Sequence, residues 1–322
     1  MSDFKKQLGK TEGKERTIIK PSKSINKPPK FEGQSTMDIP VKMRFDIDKL
    51  QSYMEAHIIG FTGTLSAKKF GLGQSNPTYL LTTDTKQKYV MRKQPPGKLI
   101  KGAHAVDREA KVISILNQTN FPVPKVYILC TDVEILGSLF YIMSFKQGEI
   151  YDNGMAAAPV RLRTEMLYNM VRTLALLHTQ DIDTLQLSTY GKRTGFYSRQ
   201  IKTLSKISAM QVERGGGKVM AIPRLNDLLT WFGTHLPPDV CTLIHGDYKP
   251  DNIVFRTNST EVIAVLDWEL STLGHPLSDL ANTCLPYYFP NNNGLYPSFL
   301  NEQNNGLIEG IPTQQELHKV YV

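Results

Sequence analysis

Asp247, Lys249, Asn252 and Asp267 have the types and spacing that phosphoryl transfer demands. The first three lie in the run His245-Gly246-Asp247-Tyr248-Lys249-Pro250-Asp251-Asn252, and Asp267 closes an apolar run that starts at Val262. Moving a phosphoryl group onto a hydroxyl requires a carboxylate that orients the attacking oxygen and takes its proton. It also requires hard oxygen ligands that hold Mg²⁺ across the donor phosphates. Asp247 suits the first task, and Asn252 and Asp267 suit the second. Lys249, two residues past Asp247, can neutralise charge on the moving group. An isolated Asp-Asn or Asp-Gly pair is commonly a turn, and an Asp ending a strand is commonly a helix cap. Three elements at these intervals, each bounded by apolar strand, point instead to a site.

The interval from Asp247 to Asn252 equals that between the Asp and Asn of the catalytic loop H-R-D-x-x-x-x-N. Residues 252–267 read as a hairpin turning at 257–260. With its centre between Ser259 and Thr260, Asn252 faces Asp267 across the two strands, where opposed Cβ atoms lie roughly 4.5–5.5 Å apart. Two ligands then reach one ion, and a strand running to Asp267 holds that carboxylate rigidly.

A second set of residues suits the phosphate donor. The stretch 71–77, which contains Ser75, joins two predicted strands, and its small residues let backbone N–H groups approach phosphates. By itself such a Gly-rich run is commonly only a hairpin turn. In Tyr89-Val90-Met91-Arg92-Lys93 one cation should enter the cleft. Strand alternation puts Arg92 on the face of Val90 and turns Lys93 outward. Glu109, on the helix that follows, can pair with Arg92 and set its direction. Met143 and Phe145 end the last strand before a helical region, where a chain crossing between lobes offers backbone groups to a purine; Met143 equally suits a core position.

The elements that must position these residues follow from periodicity. A helix is predicted over 46–58, with order beginning near Arg44. Strands over 64–70, 78–82 and 88–94 form an antiparallel meander, followed by a helix over 105–116 and strands over 125–130 and 138–145. Pro159 opens a long helix with Leu162, Met166, Met170, Leu174 and Leu177 on one stripe, and further helices cover 194–212 and 224–234. Strands return over 242–245, 252–255 and 262–267. The expected fold is α+β, protein-kinase-like and two-lobed: a nucleotide-binding β-rich part over 41–145 and a mostly helical catalytic part over 146–322.

Composition narrows the function classes. The net charge of +8 invites nucleic acid, yet residues 1–36 hold nine Lys/Arg against four Asp/Glu and so carry most of it. That stretch, rich in Lys, Pro, Ser and Gly, reads as a flexible basic arm over 1–40, without the aromatic interleaving of a stacking platform. No nucleic-acid partner is expected. Cys130, Cys241 and Cys284 are scattered, which argues against a disulfide framework or zinc site. No apolar run spans a membrane, and no clear targeting signal separates a cytoplasmic from a peroxisomal or mitochondrial location.

His245-Gly246-Asp247, Asn252 and Asp267, with Leu174-Ala175-Leu176-Leu177-His178 at a helix end, resemble the aminoglycoside phosphotransferase and choline kinase family. Longer matches come from 73–79, 92–99, 102–109 and 266–274. These look like the kinase-like domain that precedes the dehydrogenase in acyl-CoA dehydrogenase family members 10 and 11. The resemblance implies Asp247 as catalytic base, Asn252 and Asp267 as Mg²⁺ ligands, and Arg92 with Glu109 as an ion pair. It places Ser75 in a phosphate-covering loop and makes Asp279 a brace for the catalytic loop. It also implies ATP or GTP as donor and a hydroxy fatty-acyl acceptor. Further helices and a dehydrogenase are expected beyond 310–313, so the chain ending at Val322 reads as a fragment or truncated form.

Three competing readings remain: a kinase of another small alcohol or aminoglycoside, a weakly active nucleotide-binding scaffold, and a protein kinase. The last lacks D-F-G, having Asp267-Trp268-Glu269 in its place, and lacks A-P-E.

Overall fold

The computed structural model describes residues 35–71, 76–95, 105–151, 155–289, 297–301 and 306–322. The stretch 1–34, which holds nearly all of the proposed arm, and Ser75 lie outside the described residues. Order begins before Arg44: β1 (Thr36–Met37) pairs with β2 (Leu65–Phe70), Thr36 opposite Phe70. Residues 36–37 therefore belong to the sheet rather than to the arm.

Next comes α1 (Ile47–His57), whose N-cap Asp46 accepts the Lys49 N–H at 3.0 Å. Strands β2, β3 (Thr78–Thr83) and β4 (Lys88–Lys93) form the expected meander. Helix α2 (Val106–Leu116) leads to β5 (Val126–Cys130), the short α3 (Val133–Leu136) and β6 (Phe140–Ser144). The six-stranded sheet runs β1-β2-β3-β4-β6-β5, all neighbours antiparallel. Its period of two divides the side chains between two cores. Tyr79, Leu81, Met91, Phe140 and Ile142 pack with Leu50 and Met54 of α1. Val90, Tyr141 and Met143 face α2 and the rest of the molecule.

The second half is built on α4 (Val160–His178), which starts after Pro159 as expected and buries Met166, Met170, Leu174 and Leu177. Arg163 is buried on the same stripe because its Nη2 donates to the carbonyls of Ala156 and Ala158 at 3.0 and 2.8 Å. The long α5 (Phe196–Arg214) and α6 (Leu225–Thr234) bury only Phe196 between them, so they form an outer layer. β7 (Thr242–Ile244), β8 (Ile253–Phe255), β9 (Val262–Val265), β10 (Thr272–Gly274), α7 (Leu277–Cys284) and α8 (Gln314–Tyr321) complete the chain. β8 pairs with β9, and β7 with β10. After β6 the chain crosses between the halves, and Glu149 exchanges both backbone hydrogen bonds with Phe255 at 2.8 and 2.9 Å. Gly148 permits that approach, since a Cβ there would lie 2.3 Å from the Phe255 carbonyl. Among the described residues no helix is long and apolar enough to cross a membrane.

Candidate active site

A cleft of about 260 Å³ lies between the sheet and the β7–β9 region. Val90, Arg92, Met143 and Phe145 line one side, and Asp247, Lys249, Asn252, Leu266 and Asp267 line the other. Every predicted site residue that the structure describes therefore reaches this cleft, except Glu109. That carboxylate stands behind Arg92, almost fully buried.

β4 supplies Arg92 as strand alternation predicts. Its Nη1 donates to Glu109 Oε1 at 2.6 Å and to Asp267 Oδ1 at 2.8 Å. Lys93 takes the opposite face, but the expectation that it points to solvent fails. That face is covered, and Lys93 Nζ donates to Ser138 Oγ at 2.7 Å in a buried setting, which lowers the ammonium pKa by desolvation. Opposing effects act on the Arg92–Glu109 pair. Burial raises the Glu109 carboxyl to about 7 even though Arg92 pulls it down. Burial also disfavours the Arg92 charge, but Glu109, Tyr141 and Asp267 outweigh it and raise the guanidinium. We read the pair as charged: Arg keeps its proton, the approach is 2.6 Å, and the Trp268 N–H donates to Glu109 Oε1 at 3.2 Å.

The catalytic-loop candidates sit between β7 and β8. Asp279, on α7, accepts the His245 N–H with Oδ2 at 2.7 Å and the Gly246 N–H with Oδ1 at 2.8 Å. Gly246 has φ +87°, and a Cβ there would meet the Leu270 carbonyl oxygen at 2.5 Å. His245 is fully buried and links two parts of the site. Its Nδ1 accepts the Asp247 N–H at 3.2 Å, so its Nε2 carries the proton donated to the Leu266 carbonyl at 2.8 Å. Asp247 Oδ2 receives Lys249 Nζ and Asn252 Nδ2, both at 3.1 Å. Burial works against the Lys249 charge, but Asp247 more than compensates and raises its pKa, so the ammonium persists at neutral pH.

The hairpin differs from expectation by one register step. Ile253 opposes Val265, and the Leu266 N–H donates to the Asn252 carbonyl at 2.8 Å, so Asn252 faces Leu266 rather than Asp267. A bulge between Val254 and Phe255 shifts the pairing, and Asn252 closes a 3₁₀ turn (Pro250–Asn252) instead of opening a strand. β9 ends at Val265, and Asp267 takes a left-handed conformation with φ +64° and ψ +62°. For a non-glycine residue this costs about 1–2 kcal/mol. The turn aims the carboxylate at Arg92 and the cleft, so the two predicted ligands share a wall without being cross-strand partners.

The donor set suits a hard divalent cation. Asn252 Nδ2 is engaged by Asp247, which leaves its amide oxygen as the ligand atom, and the Asp267 carboxylate is about one third exposed. Two site residues escaped sequence reasoning. Glu269 lies 3.6 Å from Arg92 Nη2 and accepts Asn76 Nδ2–H at 3.1 Å. Asn282 points its amide at Asp247 Oδ1 from 3.5 Å. Signals existed for both: Glu269 shares the Asp-Trp-Glu turn, and Asn282 lies three residues past Asp279 on one helix face.

Fold and cleft together define a protein-kinase-like phosphotransferase. The chain belongs to the phosphotransferase enzyme family, whose model matches residues 66–313. A Ralstonia eutropha JMP134 structure assigned to the aminoglycoside phosphotransferases is 35% identical, with TM-score 0.72, covering 86% of this chain and 80% of that one. Acyl-CoA dehydrogenase family member 11 of Rattus norvegicus is 39% identical over 296 residues, which is 89% of this chain and 37% of the rat protein. Family member 10 of Mus musculus is 35% identical over 291 residues, 89% of this chain and 26% of that one. The matched stretch is thus only 37% of the rat protein and 26% of the mouse one. The streptomycin–ATP complex of APH(2'')-IIa, 17% identical with TM-score 0.57 and covering 86% of this chain and 82% of that one, shares the fold.

Proposed function

We propose that the protein is a kinase that moves the γ-phosphoryl group of a Mg-nucleotide, ATP or GTP, onto the hydroxyl of a hydroxy fatty-acyl substrate. The observation that carries this reading is the convergence of Asp247, Lys249, Asn252 and Asp267 opposite Arg92 in one cleft. Asp247 accepts the proton of the attacking hydroxyl, held in place by Asn252 and by the braced loop. Lys249 and Arg92 place positive charge beside the transferring group. Asn252 and Asp267 would hold Mg²⁺, which would supply positive charge to offset that of the donor phosphates. Met143 and Phe145 wall the purine site, giving residues 41–145 the nucleotide and 146–322 the catalytic loop.

The acceptor class rests on similarity to proteins named as acyl-CoA dehydrogenase family members over 89% of this chain. Structures of aminoglycoside enzymes, one bound to streptomycin and ATP, support ATP as donor. The test offers γ-labelled ATP and Mg²⁺ with hydroxyacyl-CoAs, an aminoglycoside and a generic protein. Label should appear on the hydroxyacyl-CoA. Label on the aminoglycoside alone would move the acceptor class, and nucleotide binding with no transfer would leave a scaffold.

A further inference from the structure

The turn after Asp267 carries an acid that the proposed chemistry does not use. Glu269 Oε2 accepts Asn76 Nδ2–H at 3.1 Å and lies 3.6 Å from Arg92 Nη2. Asn76 is fully buried just ahead of β3, and the partners in that hydrogen bond are 193 residues apart in sequence. One carboxylate therefore joins the sheet side of the cleft to the turn that presents Asp267.

The acids around Arg92 are not equivalent. Glu109 is sealed in the core, and Asp267 lines the cleft, where a bound cation would compete for its carboxylate. Glu269 does not line the cleft, and its side chain is only 23% exposed. Resting on the kinase reading above, we propose that Glu269 is a positioning residue. It clasps Asn76 to the Asp267 turn and keeps Arg92 aimed into the cleft when Asp267 is engaged by the cation. A carboxylate that already receives an amide N–H and faces a guanidinium is suited to holding side chains in place.

The experiment is equilibrium binding of the fluorescent nucleotide mant-ATP to the full chain, displaced by ATP across a Mg²⁺ series, with circular dichroism confirming the fold of each variant. Glu269→Ala should weaken MgATP about tenfold, the worth of one hydrogen bond to a charged group. The Mg²⁺ midpoint at saturating nucleotide should stay put. Glu269→Gln keeps an acceptor oxygen for Asn76 and should retain affinity within about threefold. Asn76→Asp keeps the side-chain shape but puts a like charge against Glu269, and should weaken binding as Glu269→Ala does. Adding Glu269→Gln to that variant should restore binding. The clasp is overturned if Glu269→Ala and Glu269→Gln shift the Mg²⁺ midpoint alike while Asn76→Asp is silent, because Glu269 is then a metal ligand. Equal MgATP binding by wild type and all variants also sinks it while leaving the kinase reading intact. A wild-type chain that binds no MgATP brings down the kinase reading itself.

Discussion

Replacing Asp279 by Asn keeps the shape of the side chain and removes half of its accepting capacity. Its oxygens serve different backbone donors, Oδ2 the His245 N–H at 2.7 Å and Oδ1 the Gly246 N–H at 2.8 Å. Oδ2 also faces His178 Nε2 at 3.2 Å. An amide has one acceptor oxygen, so one of these N–H groups must meet an NH₂ instead. A hydrogen bond to a charged acceptor contributes about 1.5–3 kcal/mol, and a stranded buried donor costs about 1–3 kcal/mol. These are two views of one loss, so Asp279→Asn should cost about 2–3 kcal/mol. For a chain of this size, that lowers Tm by roughly 3–4 °C. Asp247 follows the braced pair directly, so a shift of about 1 Å in the loop should lower kcat on the order of a hundredfold while MgATP affinity holds. Thermal melts by circular dichroism and labelled-ATP turnover read the two effects separately. A Tm within about 1 °C of wild type, or an unchanged kcat, would show that the loop keeps its geometry without this brace.

Asp267→Ala should abolish Mg²⁺-dependent nucleotide turnover; undiminished turnover in a folded variant removes Asp267 from the metal site. Asp247→Asn should lower kcat by about 10²–10⁴ with MgATP affinity preserved, and a collapse of affinity with kcat retained would make it a binding residue instead. Gly246→Ala forces a Cβ to within 2.5 Å of the Leu270 carbonyl at positive φ, and should destabilise by about 2 kcal/mol or more in denaturant unfolding. Trimming the chain to begin at Met37 should leave kcat/KM for a small acceptor nearly unchanged. Salt-sensitive polynucleotide binding lost on that trimming would assign the basic stretch a role of its own.

Much of the site was legible in the residues because catalytic chemistry constrains type and interval along the chain. Asp247 and Asn252 belong to one short loop, so their five-residue spacing carries their proximity; they are hydrogen-bonded at 2.8 and 3.1 Å. Strand alternation likewise sent Arg92 into the cleft and Lys93 to the other face. Periodicity cannot say what covers a face, and so the burial of Lys93 on Ser138 was invisible. The hairpin register slipped because the turn centres between Asn258 and Ser259, with the Arg256 N–H donating to the Glu261 carbonyl at 2.9 Å, and the bulge between Val254 and Phe255, where Phe255 also bridges to Glu149, recovers only one step. The left-handed turn of Asp267 belongs to the same class: Arg92, 175 residues away, donates to that carboxylate in three dimensions. Glu269 reaching Asn76, and Asp279 holding His245 and Gly246, are also long-range contacts. Local chemistry is written in sequence intervals; which carboxylates meet which distant partners was decided only when packing brought strands and helices to one cleft.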